Sequence, residues 1–169
     1  MKFINSKIED IDEILRLYDL AIEFQKTKFD KSWLPFDKNL IIKEIEEKRH
    51  WKIVIENVIA CIFSITFSDP LIWKERDIDS SIYIHRIVTN PNFRGNKFVP
   101  KITDWSQTYA GEINKKFIRM DTWGDNQKLI EYYVECGFKF LGIVIPTKTI
   151  DLPKHYEGIS LSLFEIALD

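Results

Sequence analysis

Cysteine, histidine and unbroken hydrophobic runs are all scarce in this 169-residue chain, and each shortage removes a class of explanation. Two cysteines, Cys61 and Cys136, make no disulfide framework, and three isolated histidines show no ligand spacing, so no metal site is expected. No stretch approaches the roughly 18 continuous apolar residues of a membrane helix. The amino-terminal MKFINSKIED becomes charged before a signal-peptide core can form. The expectation is a protein of the reducing cytoplasm with no membrane partner. Charge of one sign is missing too. Against 26 Asp plus Glu stand 24 Lys plus Arg, and a net charge of −2 supplies no global field for nucleic acid. Six glycines and six prolines, beside 45% hydrophobic and 14% aromatic residues, exclude a disordered chain.

What is present fits a single domain over residues 1–169, a length that buries about 70% of its unfolded surface. Residues 1–5 read as a strand. Ser6 and Glu9 then form a capping box for a helix with Ile8, Ile11, Ile14, Leu15, Tyr18 and Ile22 on its inner face. A loop over about 26–37 carries Phe29, Trp33 and Phe36, and a second helix covers about 38–49. Strands follow near 51–56 and 58–67, turned by Glu56 and Asn57. Residues 68–80 read as a loop or short helix. The remainder alternates: a strand at 82–89, a helix at 100–113, a strand at 117–121, a helix from Asn126, and strands near 139–145 and 159–168. The pattern predicts a mixed α/β (α+β) fold with helices on both faces of the sheet.

The densest pattern lies at 118–142, IRMDTWGDNQKLIEYYVECGFKFLG. Asp125 is placed to cap the helix, and Gly137 to end it in the left-handed conformation with Phe138 folding back as its apolar partner. Leu129, Tyr132, Tyr133 and Cys136 recur at helical spacing as a buried stripe, with Asn126 and Tyr133 two turns apart. Taken alone, Tyr133 fits a core aromatic and Asn126 a cap or a solvated residue. Upstream, residues 82–99 read IYIHRIVTNPNFRGNKFV, a strand leading through an Arg-Gly loop into a helix.

The two segments together resemble the GCN5-related N-acetyltransferase superfamily. Asn126, Leu129, Tyr132, Tyr133, Gly137 and Phe138 match the register of that family's second motif, and Val88, Pro91, Arg94 and Gly95 match its pyrophosphate loop. The resemblance implies a mostly antiparallel central sheet of about six or seven strands, splayed in the middle, with about four helices. It implies acetyl-CoA as co-substrate and transfer of an acetyl group to a primary amine of a small molecule, peptide or protein by direct attack on the thioester. By the same resemblance, Ile87, Val88, Thr89, Arg94, Gly95, Asn96, Lys97, Phe98, Val99, Asn126 and Tyr133 bind the cofactor, and Tyr133 protonates the departing thiolate.

Lys97 and Val99 depart from the family pattern, which has small residues there. Each costs on the order of 1–2 kcal/mol if a left-handed backbone is required. Pro100 disfavours helical geometry at Val99, which predicts a helix starting at Pro100 and a longer anion-binding loop. That departure keeps a second reading open, a non-catalytic module holding acyl-CoA. A plain surface connection is the bland alternative for the loop.

His85 has a suitable pKa for a base and shares a strand face with Tyr83 and Ile87, while Glu75, Asp77 and Asp79 precede that strand. Their bland readings are a hydrogen-bonded core histidine and a solvated acidic loop. Phe29, Trp33, Phe36, Trp73, His155 and Tyr156 are the candidates for acceptor recognition. The chain is expected to work as a monomer or homodimer.

Overall fold

The computed structural model describes residues 1–124, 126–146 and 159–168. The elements run β1 (Lys2–Asn5), α1 (Ile11–Lys28), α2 (Lys38–Glu46), β2 (His50–Ile55), β3 (Val58–Thr66), α3 (Pro70–Trp73), β4 (Ser81–Thr89), α4 (Phe98–Glu112), β5 (Phe117–Trp123), α5 (Gln127–Glu135), β6 (Lys139–Val144) and β7 (Leu161–Ala167). This is the mixed α/β class expected, with seven strands among the described residues, in mostly antiparallel ladders. The helix beyond the expected four is the single turn α3, formed inside the segment that read as a loop or short helix. Among the described residues no helix is long and apolar enough to cross a membrane. Contacts divide the chain into two compact units, Met1–Ile65 with Arg86–Asn96, and Thr66–His85 with Lys97–Asp169.

In the first unit the strand order is β1-β2-β3. Glu56 and Asn57 both take positive φ, 49° and 64°, the geometry of a two-residue turn whose twist suits a hairpin. The core packs Ile11, Ile14, Leu17 and Tyr18 of α1 on Ile41 and Ile45 of α2, with Ile62 and Val88. Leu17 joins the face expected from helical spacing, whereas Ile8 is exposed in a 3₁₀ turn before the helix. Ser6 does not cap that turn. Asp10 accepts from the Lys7 amide instead, and buried Ser6 Oγ lies 2.8 Å from His50 Nδ1.

In the second unit the order is β4-β5-β7-β6. The β4–β5 pair is parallel, and its register runs from Ser81 opposite Phe117 to Ile84 opposite Met120. Both strands continue beyond those residues, to Thr89 and Trp123. Ile72, Trp73, Tyr83, Ile159, Leu161 and Leu163 form this unit's apolar cluster. Helix α5 presents Ile130 as its buried residue; Leu129, Tyr132, Tyr133 and Cys136, the expected stripe, are only partly covered.

Candidate functional site

Strand β4 changes character at Arg86, where φ is +53°. A left-handed arginine inside a strand costs on the order of 1–2 kcal/mol and persists only where its surroundings hold it. Here they do: the guanidinium binds Glu44, donates to Ser64 Oγ at 2.7 Å, and lies over the rings of Tyr18 and Phe36. The kink interrupts the two-residue alternation, so the shared face expected for Tyr83, His85 and Ile87 does not carry past His85.

Beyond the kink, in the first unit, three consecutive residues line one cavity of about 270 Å³: Ile87, Val88 and Thr89. Pro91 and Arg94 extend its wall, and Phe24 and Gln25 of α1 face them with Phe29 and Trp33. Phe29 and Trp33, expected at the acceptor, thus share a cavity with four residues expected at the cofactor. Phe36 packs instead on Tyr18, ring centroids 4.6 Å apart. Arg94 stacks its guanidinium 4.7 Å from the centre of Phe24.

The loop after β4 follows its sequence only in part. Asn90 caps it, its side chain accepting from the Asn92 amide at 3.1 Å and donating to the Ile59 carbonyl at 2.8 Å. The Arg94 and Asn96 amides donate to Pro91 and Phe93 carbonyls. Gly95, at φ +87°, and Lys97, Phe98 and Val99 show no such bond among the described residues. Helix α4 starts at Phe98, two residues earlier than expected, which removes the lengthened loop. Pro100 occupies the first turn, where a missing amide proton leaves no carbonyl without its donor. Only Lys97 is left-handed, at φ 50°; Val99 is helical, so one strain cost arises and not two.

In the second unit, α5 ends as its sequence predicts. Gly137, at φ +97°, donates to the Val134 carbonyl at 2.9 Å, and Phe138 donates to the Tyr133 carbonyl at 3.1 Å. This lock, together with the Phe138 and Phe164 rings at 6.3 and 5.1 Å, fixes the turn that carries Tyr133. Burial, followed by Tyr132, Cys136 and Asp121 nearby, pushes the Tyr133 phenol up, so it keeps its proton at neutral pH. Asn126 is the residue that caps α5, accepting from the Leu129 amide at 3.2 Å; Asp125, the expected cap, lies outside the described residues. His155 and Tyr156 also lie outside them.

His85 sits in the same unit beside two aspartates absent from the expected set. Its Nε2 is 3.5 Å from Asp69 Oδ2, and Asp69, His85 and Asp121 each bring an atom within 4.8 Å of the others'. Burial, then the charge of Asp77, raises the Asp69 carboxyl to about 7. Burial, then Asp69, raises Asp121 to about 8. Among the described residues Asp69 Oδ2 and Asp121 Oδ1 have no hydrogen-bond partner. The carboxylates expected near β4 are engaged elsewhere. Asp77 accepts from Ser68 Oγ at 2.7 Å and from the Asp69 amide at 2.6 Å, Asp79 pairs with Arg119 at 2.7 Å, and Glu75 is exposed. Only the parallel β4–β5 register brings Asp121 near His85, and no local sequence signal marks it.

Such a fold is shared with solved acetyltransferases. No family model matches the chain. It is 24% identical over 142 residues, 79% of each chain, to the uncharacterized N-acetyltransferase YesJ of Bacillus subtilis. An acetyltransferase of the GNAT family from Listeria monocytogenes superposes with a TM-score of 0.81 at 22% identity, covering 99% of this chain and 94% of that one. The Salmonella typhimurium protein yncA, solved with its cofactor acetyl-CoA, gives 0.71 at 12% identity, with 100% and 94% covered. These likenesses give the chain the fold of the GNAT-family acetyltransferases.

Proposed function

We propose that the protein, acting over residues 1–169 as one catalytic domain, transfers an acetyl group from acetyl-CoA to a primary amine of a small molecule, peptide or protein. The observation that carries this reading is the cavity that gathers Ile87, Val88, Thr89 and Arg94, four of the residues expected at the cofactor. Acetyl-CoA supplies the acyl group already activated as a thioester. The amides of Gly95, Lys97, Phe98 and Val99 are the donors for its diphosphate, with the Arg94 and Lys97 charges beside them and Asn96 in the same loop. Asn126 keeps its amide nitrogen for the cofactor arm while its oxygen caps α5.

His85 takes the proton that the attacking amine loses, with Asp69 beside its Nε2 to stabilise the imidazolium. Tyr133 returns a proton at the sulfur as the carbon–sulfur bond breaks, so one proton leaves the amine and one reaches the thiol. The test is calorimetry with acetyl-CoA followed by thiol release across a panel of amines. Micromolar binding with amine-dependent release is the expected result; absence of binding overturns the reading. The left-handed Lys97, where the family has glycine, favours a second reading as an acyl-CoA-binding module. Binding with no thiol release from any amine selects that module.

A further inference from the structure

The cluster of Asp69, His85 and Asp121 draws one donor atom from each of three places: the residue before α3, the middle of β4 and the middle of β5. Three atoms no more than 4.8 Å apart always share a point within about 2.8 Å of all three. Among the described residues, two of the donors, Asp69 Oδ2 and Asp121 Oδ1, are buried oxygens without a hydrogen-bond partner, and neither carboxylate has a lysine or arginine within ion-pair distance. Buried oxygens of this kind cost free energy until a cation or a donor meets them.

Imidazole beside two carboxylates is a mixed nitrogen and oxygen set. It suits zinc or a similar transition ion better than magnesium, which keeps oxygen ligands and its own waters. Zinc bonds of about 2.0–2.2 Å require each donor to move inward by less than about 1 Å. The broad terminal torsion of a carboxylate reaches that far. We propose that Asp69, His85 and Asp121 form a three-ligand site for a divalent transition metal, with Zn²⁺ the fitting ion and a fourth position open to water or substrate. On the acetyltransferase reading, the bound ion occupies the lone pair of His85 and so halts amine deprotonation, making the metal a reversible inhibitor.

Zinc and, separately, magnesium are titrated into the full-length protein by calorimetry, beside acetyl-CoA titration and thiol release on the same preparation. One zinc site is expected, weakened about tenfold or more in His85→Ala and in Asp121→Asn and unchanged in Cys136→Ser, with no comparable magnesium site. Zinc binding that survives both ligand variants, a loss in Cys136→Ser, equal magnesium affinity, or no zinc heat each overturns the metal site. If acetyl-CoA binds and turns over while zinc does not bind, only the metal proposal falls. If zinc binds as expected and no amine supports thiol release, only the transferase reading falls.

Discussion

Two buried charge clusters in the second unit stand in contrast. Arg119 is 1% exposed, yet every face of its guanidinium is engaged. It pairs with Asp79 at 2.7 Å and Glu165 at 2.8 Å, meets the Arg76 carbonyl and the Tyr83 hydroxyl, and lies over the Trp73 and Phe117 rings. Asp69 and Asp121 are half-buried, each with one buried oxygen and, among the described residues, no such cation, and their carboxyls are held far above the usual range. A carboxylate beside a guanidinium has its charge compensated and serves the fold. One buried without compensation has proton affinity near neutrality, which is what acid–base or cation-binding work needs.

The harshest way to break the contrast is to remove the compensating charge. Arg119→Met leaves Glu165 buried beside no cation and is expected to cost about 3–5 kcal/mol, a fall in Tm of roughly 6–20 °C by calorimetry. Adding Glu165→Leu restores much of that loss, because a well-packed apolar pair replaces a buried ion pair at little cost. A single variant as stable as the parent would show that Arg119 contributes solvation rather than structure. The proposed acid–base groups predict a functional loss instead. Tyr133→Phe is expected to lower kcat about a hundredfold while acetyl-CoA affinity, read by calorimetry, stays nearly constant. Full activity across the pH range would remove Tyr133 from the proton path.

The contrast also explains what was legible in the sequence. Gly137 and Phe138 announce the end of α5 because helix termination is local chemistry, and Glu56-Asn57 announces a hairpin for the same reason. Helix starts were less legible, since Ser6 and Asp125 were each a reasonable cap by residue type, while the side chains that accept amides at these starts are those of Asp10 and Asn126, each bonding three residues away. Asp77 and Asp79 looked like candidate bases from proximity along the chain, but Arg119, forty residues away, had a prior claim on Asp79. Asp69 and Asp121 were invisible for the converse reason. Nothing within a few residues of either says that it will be buried, and their approach to His85 exists only once β4 and β5 pair.

A milder test uses pH. The folded Asp121 carboxyl titrates near 8, against about 3.9 in an unfolded chain, so between those values the native state holds more protons. Stability contributed by the protonated group is therefore present at low pH and is lost as pH rises toward 8. Asp121→Asn keeps a neutral group there and is expected to raise Tm by several degrees at pH 9, with little effect at pH 5. Parallel Tm profiles for parent and variant would show that Asp121 is solvated well enough to ionise freely.

His50 in the first unit supplies the smallest and opposite effect, and it sharpens the contrast by adding a third kind of buried titratable group. It has neither a compensating charge nor an unmet atom: Nδ1 lies 2.8 Å from Ser6 Oγ and Nε2 3.2 Å from Tyr18 Oη. Burial, followed by the positive charge of Arg86, lowers its pKa to about 3, whereas the unfolded imidazole takes up a proton near 6.5. Below pH 6.5 the unfolded state therefore binds the extra proton, and stability falls as the pH is lowered toward 3. His50→Gln retains a polar side chain that does not ionise, so it is expected to cost about 1 kcal/mol at pH 8 through altered hydrogen bonds. On acidification its Tm should fall less steeply than the parent's, and the two curves should cross near about pH 6, with the variant the more stable below that. A constant gap from pH 8 to pH 4 would assign the acid sensitivity to the carboxylates alone, and would mean that the Ser6–His50–Tyr18 chain accepts a charged imidazole without opening.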